Sequence, residues 1–171
     1  MTALFVLGGA RSGKSRYAQE RAEAAGADPV FVATAEAFDD EMQARIAQHR
    51  ADRDARWRTV EAPRGLPAAI DALNARRAVI LVDCLTLWTS NLLLAEADIP
   101  AATAKLCAAI SRFDGVLILV ANEVGLGIVP DNALARRFRD AAGLVNQAVA
   151  RSADEVVLLT AGLPLTLKPR G

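Results

Sequence analysis

The segment Gly8-Gly9-Ala10-Arg11-Ser12-Gly13-Lys14-Ser15 fits the pattern G-x-x-x-x-G-K-[ST] without a mismatch. Glycines at these points let the backbone curl so that successive N–H groups face inward, toward phosphate oxygens. The Lys14 ammonium is then placed for the β- and γ-phosphates of ATP or GTP, and the Ser15 hydroxyl for Mg²⁺. A helix opening near Lys14 turns the positive end of its dipole toward the same anion. Such a loop needs a carboxylate at the end of a nearby apolar strand. Asp83, which closes Ala78-Val79-Ile80-Leu81-Val82-Asp83, is the candidate and a second possible ligand for the metal. Its alternative role is to cap the helix that starts near Leu85.

His49 is the sole histidine of the chain. At helical spacing Arg45, His49 and Arg53 fall one above another, beside a narrow apolar stripe of Met42 and Ile46. One reading is a half-buried interfacial histidine. The other starts from the flanking guanidinium groups, which disfavour the imidazolium form. A neutral imidazole between arginines suits attack on phosphorus, with the arginines holding phosphate oxygens.

These groups need elements to hold them. Ala3–Leu7, Val30–Ala33, Ala78–Val82, Val116–Ala121 and Glu155–Thr160 are short apolar runs, as expected of strands buried on both faces of a parallel sheet. Helical stretches alternate with them: Lys14–Ala25, Asp39–Arg53, Leu66–Arg76, Leu85–Ala95, Pro100–Phe113 and Asn132–Arg151. The alternation predicts an α/β fold of the P-loop NTPase type, a RecA-like three-layer sandwich with a mostly parallel sheet flanked by helices. Ligands then lie at the carboxyl ends of the strands. The Asn122-Glu123-Val124-Gly125 stretch falls at that mouth, as a ligand-side segment or as a plain turn.

The 171 residues suit a single catalytic domain spanning 1–171. With 20 basic against 20 acidic residues, no global field draws in nucleic acid, so an anion site must be built locally. Cys84 and Cys107 have no CxxC spacing and read as two buried thiols in a reducing compartment. No apolar run approaches the ~20 residues of a membrane span, and Ala3–Leu7 is too short for a signal sequence. A soluble cytoplasmic protein is expected. A P-loop alone leaves open a kinase for some small alcohol or a nucleotide-dependent switch.

The ordered set of segments is more specific. GGARSGKS at Gly8–Ser15, VATA at Val32–Ala35, DDEMQARIAQHR at Asp39–Arg50 and WRTVEAP at Trp57–Pro63 are followed by VDCLTLW at Val82–Trp88 with Asn91-Leu92-Leu93, NEVGLGIVPDN at Asn122–Asn132 and LARRFRDAAGLVNQ at Leu134–Gln147. In these the chain resembles the bifunctional adenosylcobinamide kinase/adenosylcobinamide-phosphate guanylyltransferases of cobalamin biosynthesis, over nearly its whole length.

The resemblance implies phosphorylation of the adenosylcobinamide hydroxyl by a nucleoside triphosphate. It then implies transfer of GMP from GTP to that phosphate through a phosphoramidate on the position of His49. It makes His49 and Lys14 the catalytic residues. Nucleotide contacts are implied at Gly8, Gly9, Ala10, Arg11, Ser12, Gly13, Lys14 and Ser15, at Ala33, Thr34 and Ala35, at Arg50, Ala51, Asp52 and Arg53, and at Glu61 and Asp83. Either Glu61 or Asp83 would read the guanine or ribose. Mg²⁺ and a homotrimeric assembly are implied as well. Arg136, Arg137 and Arg139 remain a solvated face, an intersubunit patch or a grip on the corrinoid phosphate.

Overall fold

The computed structural model describes residues 2–26, 28–36 and 55–171. The expected helix Asp39–Arg53, and with it His49 and Arg50 to Arg53, lies outside the described residues. Seven strands form one sheet: β1 Thr2–Gly8, β2 Val30–Ala33, β3 Arg58–Glu61, β4 Val79–Asp83, β5 Val116–Asn122, β6 Glu155–Thr160 and β7 Leu163–Lys168. Their order across the sheet is β3-β2-β4-β5-β1-β6-β7. All neighbours run parallel except β7, which returns antiparallel to β6. The described helices are α1 Lys14–Glu23, α2 Leu66–Ala72, α3 Leu85–Leu94, α4 Ile99–Arg112 and α5 Ala133–Ser152.

The unbroken apolar strands serve two cores, one on each face of the sheet. Phe5, Ile80, Val82, Leu117 and Leu119 point into a cluster shared with Leu66, Trp88, Leu106 and Val145 from α2 to α5. Their chain neighbours Leu4, Val6, Leu81, Ile118 and Val120 point the other way, toward Ala18 and Ala22 of α1. Successive strand residues alternate faces, so only a strand apolar at every position can cover both. This is the three-layer α/β architecture expected. Full burial of a side chain such as Phe5 contributes about 1.5–3 kcal/mol, and the alanine pair at i, i+4 lets α1 lie close on the sheet.

Two strands carry little sequence signal. β3 reads Arg-Thr-Val-Glu with both ends exposed, and β7 is exposed at every position. β7 tolerates Pro164 because it is an edge strand with a neighbour on one side. Helix α2 stops at Ala72 rather than running to Arg76. Asn74 instead donates to the Arg112 carbonyl at 3.1 Å and accepts from the Asp114 N–H at 2.8 Å, which pulls the chain out of the helix. Of the two thiols expected to be buried, Cys84 is, whereas Cys107 is half-buried on α4.

Candidate active site

The phosphate loop leaves β1 and enters α1 directly. Gly13 precedes the helix with φ 92°, and no side chain caps the helix N-terminus. The first intrahelical bond runs from the Tyr17 N–H to the Gly13 carbonyl at 3.0 Å. The earlier amides of the turn, at Lys14, Ser15 and Arg16, are therefore left for an anion. The loop's carbonyls are engaged elsewhere. Gly8 O accepts from the Glu123 N–H at 3.1 Å, and Ser12 O from the Gly162 N–H at 2.9 Å. Gly9 O accepts from Lys14 Nζ at 3.1 Å, which arches the lysine over its own loop. Arg11 adopts φ 54°, a left-handed conformation uncommon for a side-chain-bearing residue and part of the loop's tight curl. Gly8 is required sterically: a Cβ there would meet Ser12 Oγ and stand 2.9 Å from the Leu159 carbonyl. Ser12 Oγ is buried without a hydrogen-bond partner inside this loop.

Register places the carboxylates on one line. Glu61 pairs with Ala33, Ala33 with Asp83, Asp83 with Val120, and Val120 with Val6. Strands are spaced about 4.8 Å apart, so Asp83 stands ~10 Å from β1 across the sheet and Glu61 ~19 Å. Asp83 does not cap α3. The N-cap is Cys84, with no side-chain cap bond, which leaves the carboxylate free of that alternative role.

Behind Asp83 is a buried polar joint. Thr34, fully buried after β2, donates its hydroxyl to the Cys84 carbonyl at 2.7 Å and accepts from the Cys84 N–H at 2.8 Å. Its own N–H meets the Asp83 carbonyl at 3.4 Å. Asn91 of α3 donates to the carbonyls of Thr34 at 2.8 Å and Pro63 at 2.9 Å, tying the ends of β2 and β3 to the helix. Every polar group of Thr34 is thus used within the protein. Thr34 fixes the strand end, and Ala33 and Ala35 flank it half-buried. Burial, with the nearby Asp83 charge, pushes the Cys84 thiol up to about 12.

Sequence assigns no role to Thr86 or Asn91, although a buried asparagine within a leucine-rich helix is a signal of such a joint. Thr86 Oγ1 accepts from the Asn122 N–H at 2.7 Å and so anchors the end of β5. Arg136 holds the carbonyls of Pro130 at 2.9 Å and Asp131 at 2.7 Å, and Arg139 pairs with Asp140 at 3.0 Å. Both are occupied locally, and Arg137 is exposed.

For Mg²⁺ the donor set is the test. Ser15 at the start of α1 and Asp83 at the end of β4 are hard oxygen donors, both half-buried, and fit a cation that keeps several of its waters. Among the described residues no cluster of three or more His, Cys, Asp or Glu competes as a metal centre. No described helix is long and apolar enough to cross a membrane.

Comparisons with solved structures agree with the fold. A protein from Pyrococcus horikoshii OT3 superposes with a TM-score of 0.59 at 10% identity, over 99% of this chain and 87% of that one. A type III secretion ATPase superposes with a TM-score of 0.57 at 11% identity, over 96% of this chain and 56% of that one. Sequence relatives are far nearer. The bifunctional adenosylcobalamin biosynthesis protein CobP of Pseudomonas aeruginosa is 46% identical, over 96% of both chains. CobU of Salmonella typhimurium is 43% identical, over 96% of this chain and 99% of its own. The family model described as cobinamide kinase / cobinamide phosphate guanyltransferase matches residues 4–167, and the chain belongs to that family of bifunctional enzymes.

Proposed function

We propose that one catalytic domain, residues 1–171, phosphorylates adenosylcobinamide with a nucleoside triphosphate and then transfers GMP from GTP to the resulting phosphate. The products of the second step are adenosyl-GDP-cobinamide and pyrophosphate. The observation that carries this is the family match over residues 4–167, which includes an intact phosphate loop at the mouth of the sheet.

In the kinase step Lys14 and the free amides at the start of α1 neutralise the charge that spreads over the transferring phosphoryl group. Mg²⁺, bound by Ser15 and Asp83, would supply further charge neutralisation on the phosphate oxygens. In the second step His49 attacks the α-phosphorus of GTP and pyrophosphate departs. The phosphate of adenosylcobinamide phosphate then displaces the imidazole. Two displacements let one site serve two anionic reactants in turn. The row across the sheet supports a division of labour between the carboxylates. Asp83 serves the phosphate and metal end, and Glu61, two strands further from the loop, serves the guanosine end.

We further read the enzyme as cytoplasmic and homotrimeric, as the composition and the family resemblance imply. The exposed leucines of the edge strand β7, Leu163, Leu165 and Leu167, support contact between copies.

The test is incubation with Mg²⁺ and GTP radiolabelled at the α-phosphorus, without corrinoid, followed by denaturing electrophoresis. An acid-labile, alkali-stable label on the wild type that is missing from His49→Ala is expected. A chain that binds GTP but takes no label would overturn the covalent route.

A further inference from the structure

The two half-reactions differ in what they ask of a base. An alcohol must shed a proton as its oxygen attacks phosphorus, whereas a phosphate monoester is already an anion near neutral pH. The function proposed above leaves that proton without an acceptor, and the inference here rests on that reading.

Among the described residues, four carboxylates stand at or just beyond the carboxyl ends of the parallel strands. Glu36 is committed to Arg64 at 3.1 Å. Glu61 lies on β3, four strands from β1, and Asp83 on β4, two strands away. Glu123 follows β5, the strand next to β1. The last pair of that ladder is Asn122 opposite Gly8, and the Glu123 N–H donates to the Gly8 carbonyl at 3.1 Å. The main chain of Glu123 is therefore fastened to the first residue of the phosphate loop.

The strand end beneath it is also held, by Asn122 N–H to Thr86 Oγ1 at 2.7 Å and by Asn146 Nδ2 to the Asn122 carbonyl at 3.4 Å. The Glu123 side chain is half-buried, and its Oε1 accepts from the Gly125 N–H at 2.7 Å. That bond fixes the carboxylate with one oxygen and leaves the other. No lysine or arginine among the described residues pairs with it.

We infer that Glu123 is the general base of the kinase step. As the alcohol oxygen forms its bond to the γ-phosphorus, the bond from that phosphorus to the β-phosphate oxygen breaks. The nucleoside diphosphate leaves with the electron pair. The hydroxyl proton passes to the free oxygen of Glu123 and from there to water.

The experiment compares both half-reactions in one preparation of the full chain. Glu123→Gln keeps an oxygen for the Gly125 N–H, so the turn survives, but it cannot take the proton. Phosphorylation of adenosylcobinamide should fall in kcat by about 100-fold or more, and the acid limb of its pH profile should vanish. The KM for the nucleotide, and guanylyl transfer to preformed adenosylcobinamide phosphate, should stay within about twofold, since neither needs the base. Glu123→Asp keeps a carboxylate and should recover part of the kcat and the acid limb. A Gln variant whose kinase kcat is unchanged overturns the inference alone. So does equal loss of both activities in Gln and Asp variants, which would mark a structural role. A wild type with no kinase activity would overturn the function proposed above, and this inference with it.

Discussion

Thr34 grips the peptide of Cys84 from both sides, its hydroxyl donating to the carbonyl at 2.7 Å and accepting from the N–H at 2.8 Å. Because Thr34 follows β2 and Cys84 follows β4, one side chain locks two neighbouring strand ends together beside Asp83. Thr34→Val removes both bonds and strands two buried backbone groups, at a cost of about 1–3 kcal/mol each. The urea midpoint should drop accordingly, and nucleotide affinity with it. Thr34→Ser keeps the hydroxyl and should lose about 1 kcal/mol for the methyl. A valine variant as stable as the parent would show that the clamp carries no weight.

Adjacent glycines of the loop should respond in opposite ways. At Gly8 an added methyl runs into Ser12 Oγ and sits 2.9 Å from the Leu159 carbonyl, a backbone atom that cannot swing aside. Gly8→Ala should distort the loop, lower stability by about 1–3 kcal/mol and abolish measurable nucleotide binding. At Gly9 nothing lies within 4 Å of the added atom. Gly9→Ala should fold with a melting temperature within about 2 °C of the parent, a ΔΔG below ~0.5 kcal/mol. Thermal melts with and without nucleotide check both.

The contrast between those glycines marks how far sequence reasoning reached. The loop pattern names Gly8 and leaves Gly9 at a free position, but the steric reason for Gly8 depends in part on Leu159, far along the chain in β6. The two-faced core was legible because the unbroken apolar runs Ala3–Leu7, Val79–Val82 and Val116–Ala121 of β1, β4 and β5 admit few other fates. Strand β3 was not, since three of its four residues, Arg58, Thr59 and Glu61, are polar and it takes its strand geometry from pairing with β2. Strand β7 was not either, since its leucines are exposed and its pairing depends on the turn at Ala161-Gly162. Asp83 was legible as a candidate by its place after an apolar run. The joint that holds it, Thr34 with Cys84 and Asn91, joins residues 50 and 57 positions apart, and no local pattern encodes that.

The two thiols should be kinetically distinct. Burial, with the Asp83 charge beside it, raises the Cys84 thiol to about 12, while Cys107 is half-buried on α4. A disulfide reagent at pH 8 should titrate one thiol in the native protein and two in denaturant. Cys107→Ser should then leave no fast-reacting thiol. Rapid modification of that variant would mean that the end of β4 opens readily.

Edge strand β7 gives the assembly a direct test. Leu163 is 71% exposed and Leu165 57%, so neither contributes much to the core of one chain. Charges on an edge strand oppose pairing or packing with another copy. For the homotrimer proposed above, Leu163→Lys with Leu165→Lys should shift sedimentation from trimer to monomer, with the fold of the single chain destabilised by less than ~0.5 kcal/mol. An unchanged trimer would move the interface elsewhere.

The P-loop helix is held at its far end by a bond between residues far apart in the sequence, and that bond titrates. Arg21 of α1 reaches both carboxylate oxygens of Glu155 in β6, at 3.0 and 2.7 Å, and also the Tyr17 hydroxyl at 2.7 Å. The Arg21 hydrogen bonds hold the Glu155 carboxyl below its ordinary range, against an opposing push from partial burial. Arg21 is itself raised and stays charged throughout. A carboxyl lowered on folding adds stability that is fully present above the unfolded value of about 4.3, and loses it as pH falls through the folded value. Glu155→Gln should therefore be less stable than the parent at pH 7, by about 1 kcal/mol for a pair that is partly exposed. The difference should shrink below pH 4 and disappear once the carboxyl is protonated in both states. Urea midpoints of the two proteins between pH 7 and pH 3 measure this. A gap that stays constant with pH would assign the loss to packing and not to the charge that ties α1 to β6.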